Sequence, residues 1–411
     1  MGEQQKEISK KESPVKLIRG AKVYAPEAMG QQDILILEDR IAAIGRNLRA
    51  DFGGAVEVEV IDGDGLYAVP GLIDSHEHIM GGGGEGGFAT RTPEANLTDL
   101  TRNGITTVVG CIGTDGVARE MTSLLAKARG LEEEGITTYV YTGSYQVPVH
   151  TLTGSLMEDI MMIDKVIGVG EIAISDHRSS QPGFEEFARI AAEIRVGGML
   201  SGKAGILNIH LGDSPRKIDL IERVVHETEI PVTQFLPTHV NRNAALFEAC
   251  LDFAREGGTI DFTGNNDIDY WETVCDEVRV CTGIRRLLDA GVPEDRFTIS
   301  SDGQGSLPVF NEKGELSGIG VGDASCLLKE VRECVQREGL PLEIALRPVT
   351  SNPAKILKLG KKGHLAPGFD ADICLLDEKN LQLRAAIAKG RVLLRDGKPV
   401  VFGTFERKIL G

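Results

Sequence analysis

Eight short β-branched runs alternate with longer amphipathic stretches through the middle of the chain, and this rhythm restricts the fold more than any other feature. The runs are Gly71-Leu-Ile-Asp-Ser-His76, Thr106-Thr-Val-Val-Gly110, Thr137-Thr-Tyr-Val-Tyr141, Ile172-Ala-Ile-Ser175, Ile206-Leu-Asn-Ile-His210, Thr233-Gln-Phe-Leu-Pro-Thr-His239, Thr259-Ile-Asp-Phe-Thr263 and Phe297-Thr-Ile-Ser-Ser-Asp302. Between them lie stretches such as Phe184–Arg195, with apolar residues at helical spacing. Strands that alternate with helices make a parallel sheet with crossovers. Eight such units in roughly 250–300 residues predict an α/β fold, a (β/α)8 TIM-like barrel.

Both ends of the chain read differently. Lys16–Tyr24, Asp33–Leu37 and Arg40–Gly45 are short apolar runs parted by turn residues, and the same texture returns at Asp372–Asp377, Leu381–Arg384 and Gly390–Val400. One small β-sandwich domain built from both ends is expected, with the barrel inserted in it. The expected division is a disordered polar tail (1–13), the first part of the β-domain (14–69), the barrel (70–362) and the second part of the β-domain (363–411).

Barrel active sites lie at the carboxyl ends of the strands. His76 and His78 end the first strand, Glu171 opens the fourth, His210 ends the fifth, His239 ends the sixth and Asp302 ends the eighth. Four of the eight histidines therefore fall where a barrel builds its site. Residues two apart on an extended chain point to one side, so His76 and His78 converge. His210 and His239 can hold a second ion. Imidazole with carboxylate suits zinc and similar divalent cations. Two cations need a shared anionic ligand and can bridge an acidified water. Asp302 can ligate and also carry a proton from that water to a leaving amine. Taken singly, a His-x-His pair or one strand-end histidine is ordinarily structural, and the argument rests on their joint placement. His150, His226 and His364 are read as surface or packing residues, and His177 as a neighbour of the site that supports Arg178.

Charge and cysteine content narrow the setting. With 61 acidic against 45 basic side chains, the formal net charge is −16, which argues against nucleic acid and anionic membranes as partners. No apolar run reaches membrane-spanning length, and the polar start offers no signal-peptide core. The seven cysteines are scattered without a Cys-x-x-Cys pattern, as expected of small buried apolar residues in a reducing cytoplasm.

Pro70-Gly-Leu-Ile-Asp-Ser-His-Glu-His78 and Pro367-Gly-Phe-Asp-Ala-Asp372 resemble the amidohydrolase superfamily. More narrowly, Gly81–Glu85, Gly113-Thr-Asp115, Thr142-Gly-Ser-Tyr145, Ile174-Ser-Asp-His-Arg178, Pro237-Thr-His-Val-Asn-Arg242 and Ser301–Ser306 resemble the isoaspartyl dipeptidases. The resemblance covers nearly the whole chain beyond the tail. It implies a cytoplasmic homo-oligomer that hydrolyses β-aspartyl dipeptides by attack of a hydroxide bridging two zinc ions. It also implies metal ligation by His76, His78, His210, His239 and Asp302, with Asp302 as general base and acid. Glu85 is implied to meet the substrate ammonium, and Arg178, Arg242 and Ser306 its carboxylates. Gly83 and Thr114 are implied to add polar contacts, and Tyr145 to polarise the scissile carbonyl. A substrate with two carboxylates and one ammonium requires such a mixture of cations and one anion.

One position departs from the pattern. The family bridges its metals with a carbamylated lysine, and counting back from Ser175 puts Glu171 at that place, in a stretch one residue longer than the pattern. A glutamate supplies a bridging carboxylate without CO2. The alternative, a modified Lys165, is disfavoured because Lys165 is read as part of the preceding helix. Two other functions stay open: an amidohydrolase of cyclic amides or N-acyl amino acids, and a non-catalytic barrel scaffold, which would have shed ligands.

Overall fold

The computed structural model describes residues 13–310 and 316–406. The expected disordered tail lies outside the described residues, apart from Ser13. Strands β1 (Val15–Tyr24), β2 (Ala28–Leu37), β3 (Arg40–Gly45), β4 (Val58–Asp62) and β5 (Leu66–Pro70) open the chain. The first half of β1 pairs with β4 and its second half with β5, while β2 runs antiparallel along its other side.

The chain then enters eight strands that form the barrel: β6 (Leu72–Glu77), β7 (Ile105–Gly110), β8 (Thr137–Thr142), β9 (Val166–Ile174), β10 (Ile206–Leu211), β11 (Phe235–Thr238), β12 (Ile260–Thr263) and β13 (Phe297–Ser300). Strands β6 to β11 form one parallel sheet and β12 pairs parallel with β13. Hydrogen bonds close the ring at both gaps. Val240 N–H donates to Asp261 O (3.3 Å) beside β11 and β12, and Asp302 N–H donates to His76 O (3.1 Å) between β13 and β6.

A hairpin of β14 (Ser306–Phe310) and β15 (Leu316–Val321), absent from the expected elements, follows the eighth barrel strand. Strands β16 (Ile373–Asp377), β17 (Leu383–Ala388), β18 (Arg391–Arg395) and β19 (Lys398–Pro399) then return to the first domain. There β16 pairs antiparallel with β5, so both ends share one nine-stranded sheet. Ile18, Val23, Ile34 and Ile36 from the first end pack with Ile373, Leu375 and Ile387 from the second, all at 0–1% exposure.

The barrel strands read as continuous apolar runs because helices and interior cover both faces, and β6, β7, β9 and β10 are buried at every residue. The helix Phe184–Ser201 shows how the outer layer attaches. Its Phe187, Ile190, Ala191 and Ile194, one stripe at helical spacing, are buried, and Phe187 stacks on Phe235 of β11 at 6.0 Å. Burying such a phenylalanine stabilises by roughly 1.5–3 kcal/mol. The Glu186 carboxylate accepts from Gly183 N–H at 3.1 Å and fixes where this helix begins.

Two expectations are corrected. Glu171 does not open the fourth strand, since β9 begins at Val166 and Glu171 lies well inside it. Lys165 is not helical, because the helix before it ends at Met162. Lys165 enters β9 from the opposite end of the barrel, where its Nζ donates to Thr138 O at 3.0 Å and pairs with Glu132 at 2.5 Å.

Candidate functional site

Glu171 reaches the barrel mouth through a bulge. Leu207 of β10 faces Val169 of β9 and Ile209 faces Ile172, so β9 spends one residue more than its partner between these pairs. This extra residue is a β-bulge, and bulges re-aim side chains. Gly170 is needed there, because a Cβ would lie 2.8 Å from Asn208 Cβ and 2.9 Å from Asn208 O. At the other strand ends, His239 and Asp302 adopt left-handed conformations (φ 63° and 50°) just past β11 and β13. Such conformations cost a non-glycine residue roughly 1–3 kcal/mol and cluster at functional sites.

The result is a crowded donor cluster. The Glu171 carboxylate lies 3.4 Å from His76 Nε2, 3.3 Å from His78 Nε2, 3.2 Å from His210 Nδ1 and 3.6 Å from His239 Nε2. Asp302 Oδ1 lies 3.0 Å from His78 Nε2 and 3.7 Å from His76 Nε2. All six residues nominated as metal ligands thus meet in one place. Three buried atoms of the cluster, His76 Nε2, Glu171 Oε1 and Asp302 Oδ1, have no hydrogen-bond partner. Buried polar groups left unpaired are costly, and a divalent cation would satisfy all three. Potential ligand atoms gather within 4.8 Å of one another in overlapping sets: His76, His78, Cys111 and Glu171; His76, His239 and Asp302; Glu171, His210 and His239. The cluster is therefore able to hold metal, and Glu171 belongs to two of the sets.

Sequence reasoning did not find what holds the histidines. His76 Nδ1 meets Asn208 Oδ1 at 3.1 Å, His210 Nε2 meets Asp176 Oδ2 at 3.0 Å and His239 Nδ1 meets Thr263 Oγ1 at 2.6 Å. Histidine ligands commonly tie their second nitrogen in this way, which fixes tautomer and ring direction. Asp176 belongs to the Ile174–Arg178 segment, and only its position in the fold, 34 residues from His210 in sequence, brings the two together. Cys111 corrects the reading of all seven cysteines as bland, because its Sγ lies 3.7 Å from His78 Nδ1. His177 is 88% exposed beside Asp176, with Nδ1 3.6 Å from Oδ1, and His226 pairs with Glu256 at the surface.

Titration follows from this crowding. Burial alone would raise the Glu171 carboxyl, but the charge of His76 and the close imidazoles of His210, His239 and His76 hold it well below the usual carboxylate range. Asp302 is likewise lowered despite burial, through His78 and the charges of His239 and His76. Burial pushes His239 down to about 3. The Tyr145 phenol goes the other way: burial and the nearby Glu171 charge raise it well above its ordinary value. Tyr145 therefore keeps its proton and can donate.

Beside the cluster lies a second group. Tyr145 OH is 2.7 Å from His210 Nδ1, and the Arg178 guanidinium lies 5.4 Å from the centre of the Tyr145 ring. Arg178 is held by Asp176, with Nε to Oδ1 at 3.0 Å and Nη2 to Oδ2 at 2.8 Å. Its Nη1 donates to Glu85 Oε1 at 3.2 Å. Glu85 also accepts from Thr114 Oγ1 at 2.9 Å and from Ser306 Oγ at 3.2 Å. Gly83 adopts φ 71° against the Ser306 side chain, where a Cβ would lie 2.6 Å from Thr90 O. Arg242 follows β11 closely, and its charge lies near enough to act on both Tyr145 and His239. No helix among the described residues is long and apolar enough to cross a membrane.

The family model described as the amidohydrolase family matches residues 67–401. Among solved structures, the beta-aspartyl dipeptidase of the thermophilic, keratin-degrading Fervidobacterium islandicum AW-1 is 47% identical to this chain. That structure, in complex with a beta-Asp-Leu dipeptide, covers 94% of this chain and 98% of its own, with a TM-score of 0.87. The D-hydantoinase of Bacillus sp. AR9 is 18% identical with a TM-score of 0.66, over 94% of this chain and 97% of its own, a likeness of fold alone. Among curated proteins, a deacetylase of Brucella anthropi is 25% identical over 88% of this chain and 83% of its own length.

Proposed function

The chain belongs to the amidohydrolase family of metal-dependent hydrolases, and on that premise we propose that it is a dipeptidase that cleaves β-aspartyl amide bonds. The observation that carries this reading is the Glu85–Arg178 pair, 3.2 Å apart beside the donor cluster. A β-aspartyl dipeptide brings one ammonium and two carboxylates. It can exchange the internal pair for two pairings of its own, the ammonium on Glu85 and a carboxylate on Arg178. Arg242 and Ser306 then serve the carboxylates, while Gly83 and Thr114 complete the pocket wall. The 47% identity to a beta-aspartyl dipeptidase crystallised with beta-Asp-Leu supports the same substrate class.

His76, His78 and Asp302 would hold one divalent ion, His210 and His239 a second, with Glu171 shared between them; the nitrogen-rich donor set favours zinc. When bound, the ions supply Lewis acidity and lower the pKa of water. The chain's own groups do the rest. Asp302, kept as a carboxylate, accepts a proton at its oxygen and passes it to the departing amine. Tyr145, kept protonated, donates a hydrogen bond to the scissile carbonyl oxygen as charge develops there. Asp176 holds Arg178 and His210 in fixed relation, so substrate carboxylate and reacting carbonyl are placed together.

The test is a panel on metal-replete protein: β-Asp-Leu, α-Asp-Leu, an N-acetyl amino acid and a hydantoin. Free aspartate should appear from β-Asp-Leu alone. Intact β-Asp-Leu, or equal cleavage of the α-linked isomer, would sink the proposal.

A further inference from the structure

Of the Gly113-Thr-Asp115 segment, only Thr114 has a part in the reading above. Asp115 follows it in the loop after β7 and makes contacts of another kind. Its Oδ1 accepts from Val117 N–H at 3.2 Å and from Ala118 N–H at 2.8 Å, which fixes the carboxylate within its own loop. Its Oδ2 accepts a charge-assisted hydrogen bond from Arg91 Nη1 and lies 3.7 Å from Arg119 Nη1. Burial would raise this carboxyl, but the Ala118 and Val117 N–H groups and Arg91 lower it, so Asp115 stays charged.

Both guanidiniums serve the Gly-rich loop that carries Glu85. Arg119, 7% exposed, donates from Nε to Met80 O at 3.0 Å and from Nη2 to Thr92 O at 2.9 Å, and so ties both ends of that loop. Arg91 lies within the loop, bridged antiparallel to Gly83. Positions 81–84 are all glycine, and Gly81, Gly83 and Gly84 have φ of 75°, 71° and 106°. Such backbone has the most conformational freedom to lose and little stiffness of its own. Contacts outside it must therefore set where Glu85 stands.

We propose that Asp115 is the positioning residue of the ammonium subsite: by gripping Arg91 it holds the Gly-rich loop against the Thr114 loop and keeps Glu85 where a substrate ammonium meets it. The Thr114 hydroxyl, one residue before Asp115, already donates to Glu85 Oε1 at 2.9 Å, so the two neighbours hold the loop at two points, one on the carboxylate and one on Arg91. The ammonium lies away from the bond that breaks, so its pairing contributes equally to the bound substrate and the transition state and acts on KM rather than kcat. The inference rests on the dipeptidase reading above, and its test separates the two.

Zinc-loaded Asp115→Asn is assayed with β-Asp-Leu, and with L-aspartate and succinate as competing ligands that differ by the ammonium alone. An asparagine oxygen still accepts from Val117 and Ala118, so the turn is kept while the charge that grips Arg91 is lost. KM for β-Asp-Leu and the inhibition constant of aspartate should each rise ~10-fold, with kcat and the inhibition constant of succinate unchanged. Arg91→Gln removes the other half of the pair and should give the same rise, and the double variant should add nothing to it. Unchanged KM in both single variants, or a loss shared equally by aspartate and succinate, overturns the inference and leaves the dipeptidase standing. Arg91→Gln decides alone if Asp115→Asn fails to fold. Failure of the unmodified chain to cleave β-Asp-Leu overturns both readings.

Discussion

Replacing Asp176 by asparagine keeps its volume and removes its charge, and the structure says what that costs. The carboxylate is 4% exposed and accepts four hydrogen bonds: Arg178 N–H at 2.7 Å, Arg178 Nε at 3.0 Å, Arg178 Nη2 at 2.8 Å and His210 Nε2 at 3.0 Å. An asparagine oxygen can keep the first two, which share Oδ1. Its NH2 then faces Arg178 Nη2 and His210 Nε2, donor against donor. Two charge-assisted bonds of about 1.5–3 kcal/mol each are lost, so the local penalty is about 3–6 kcal/mol before relaxation. Relief comes by turning His210 or releasing Arg178, and these have different readouts. A turned His210 weakens metal binding by the 10- to 100-fold typical of lost histidine partners. A released Arg178 raises KM for β-Asp-Leu with less effect on kcat. Zinc affinity by chelator competition, and KM against kcat in excess zinc, measure both. Asp176→Asn with unchanged zinc affinity and unchanged KM would refute the argument that this carboxylate couples the two groups.

Other outcomes follow from the same geometry. Glu171→Ala should lose bound metal by elemental analysis, while the unmodified chain should show no dependence on bicarbonate; full metal retention in the variant would remove Glu171 from the site. Glu330, 2% exposed, is pushed up to about 7 by burial. Its contribution to stability is fully present below about 4.5 and is lost as pH rises through 7, worth about 3 kcal/mol at most. Glu330→Gln, which can still accept from Asn265 N–H, should therefore be more stable than the unmodified chain at pH 8, with the gap closing towards pH 4.5 in denaturant titrations; a pH-independent gap would contradict this.

The barrel and the donor cluster were legible because both write themselves in local pattern. Parallel strands buried on both faces give unbroken β-branched runs, and a barrel mouth collects polar residues at the ends of those runs, so His76, His78, His210, His239 and Asp302 stood out one strand at a time. Strand limits were less legible: Val166-Ile-Gly-Val-Gly carries two glycines, which hid the first half of β9 and made Glu171 look like a strand opening. The partners of the histidines were invisible for a different reason. Asn208, Thr263, Asp176 and Cys111 are common residues whose meaning lies in contacts across strands, and no spacing rule encodes a contact between residues 132 positions apart, as His76 and Asn208 are.

The bulge and Glu171 lie together in β9, and on the two-ion reading proposed above they form one device. On that reading a glutamate, several bonds shorter than a carbamylated lysine, would reach a position between two ions only from backbone that lies nearer. The extra residue in β9 falls at this point, and Gly170 lets the strand press against Asn208 more closely than any side chain would permit. Neither part works alone on this account. Glu171→Lys would project its amine past the cluster, and bicarbonate should not restore metal binding to it. Deleting Gly170 in that variant removes the bulge and draws the lysine back to the register the family uses, so bicarbonate-dependent metal binding should return. Rescue of Glu171→Lys by bicarbonate without the deletion would show that the bulge has nothing to do with the length of the bridging side chain.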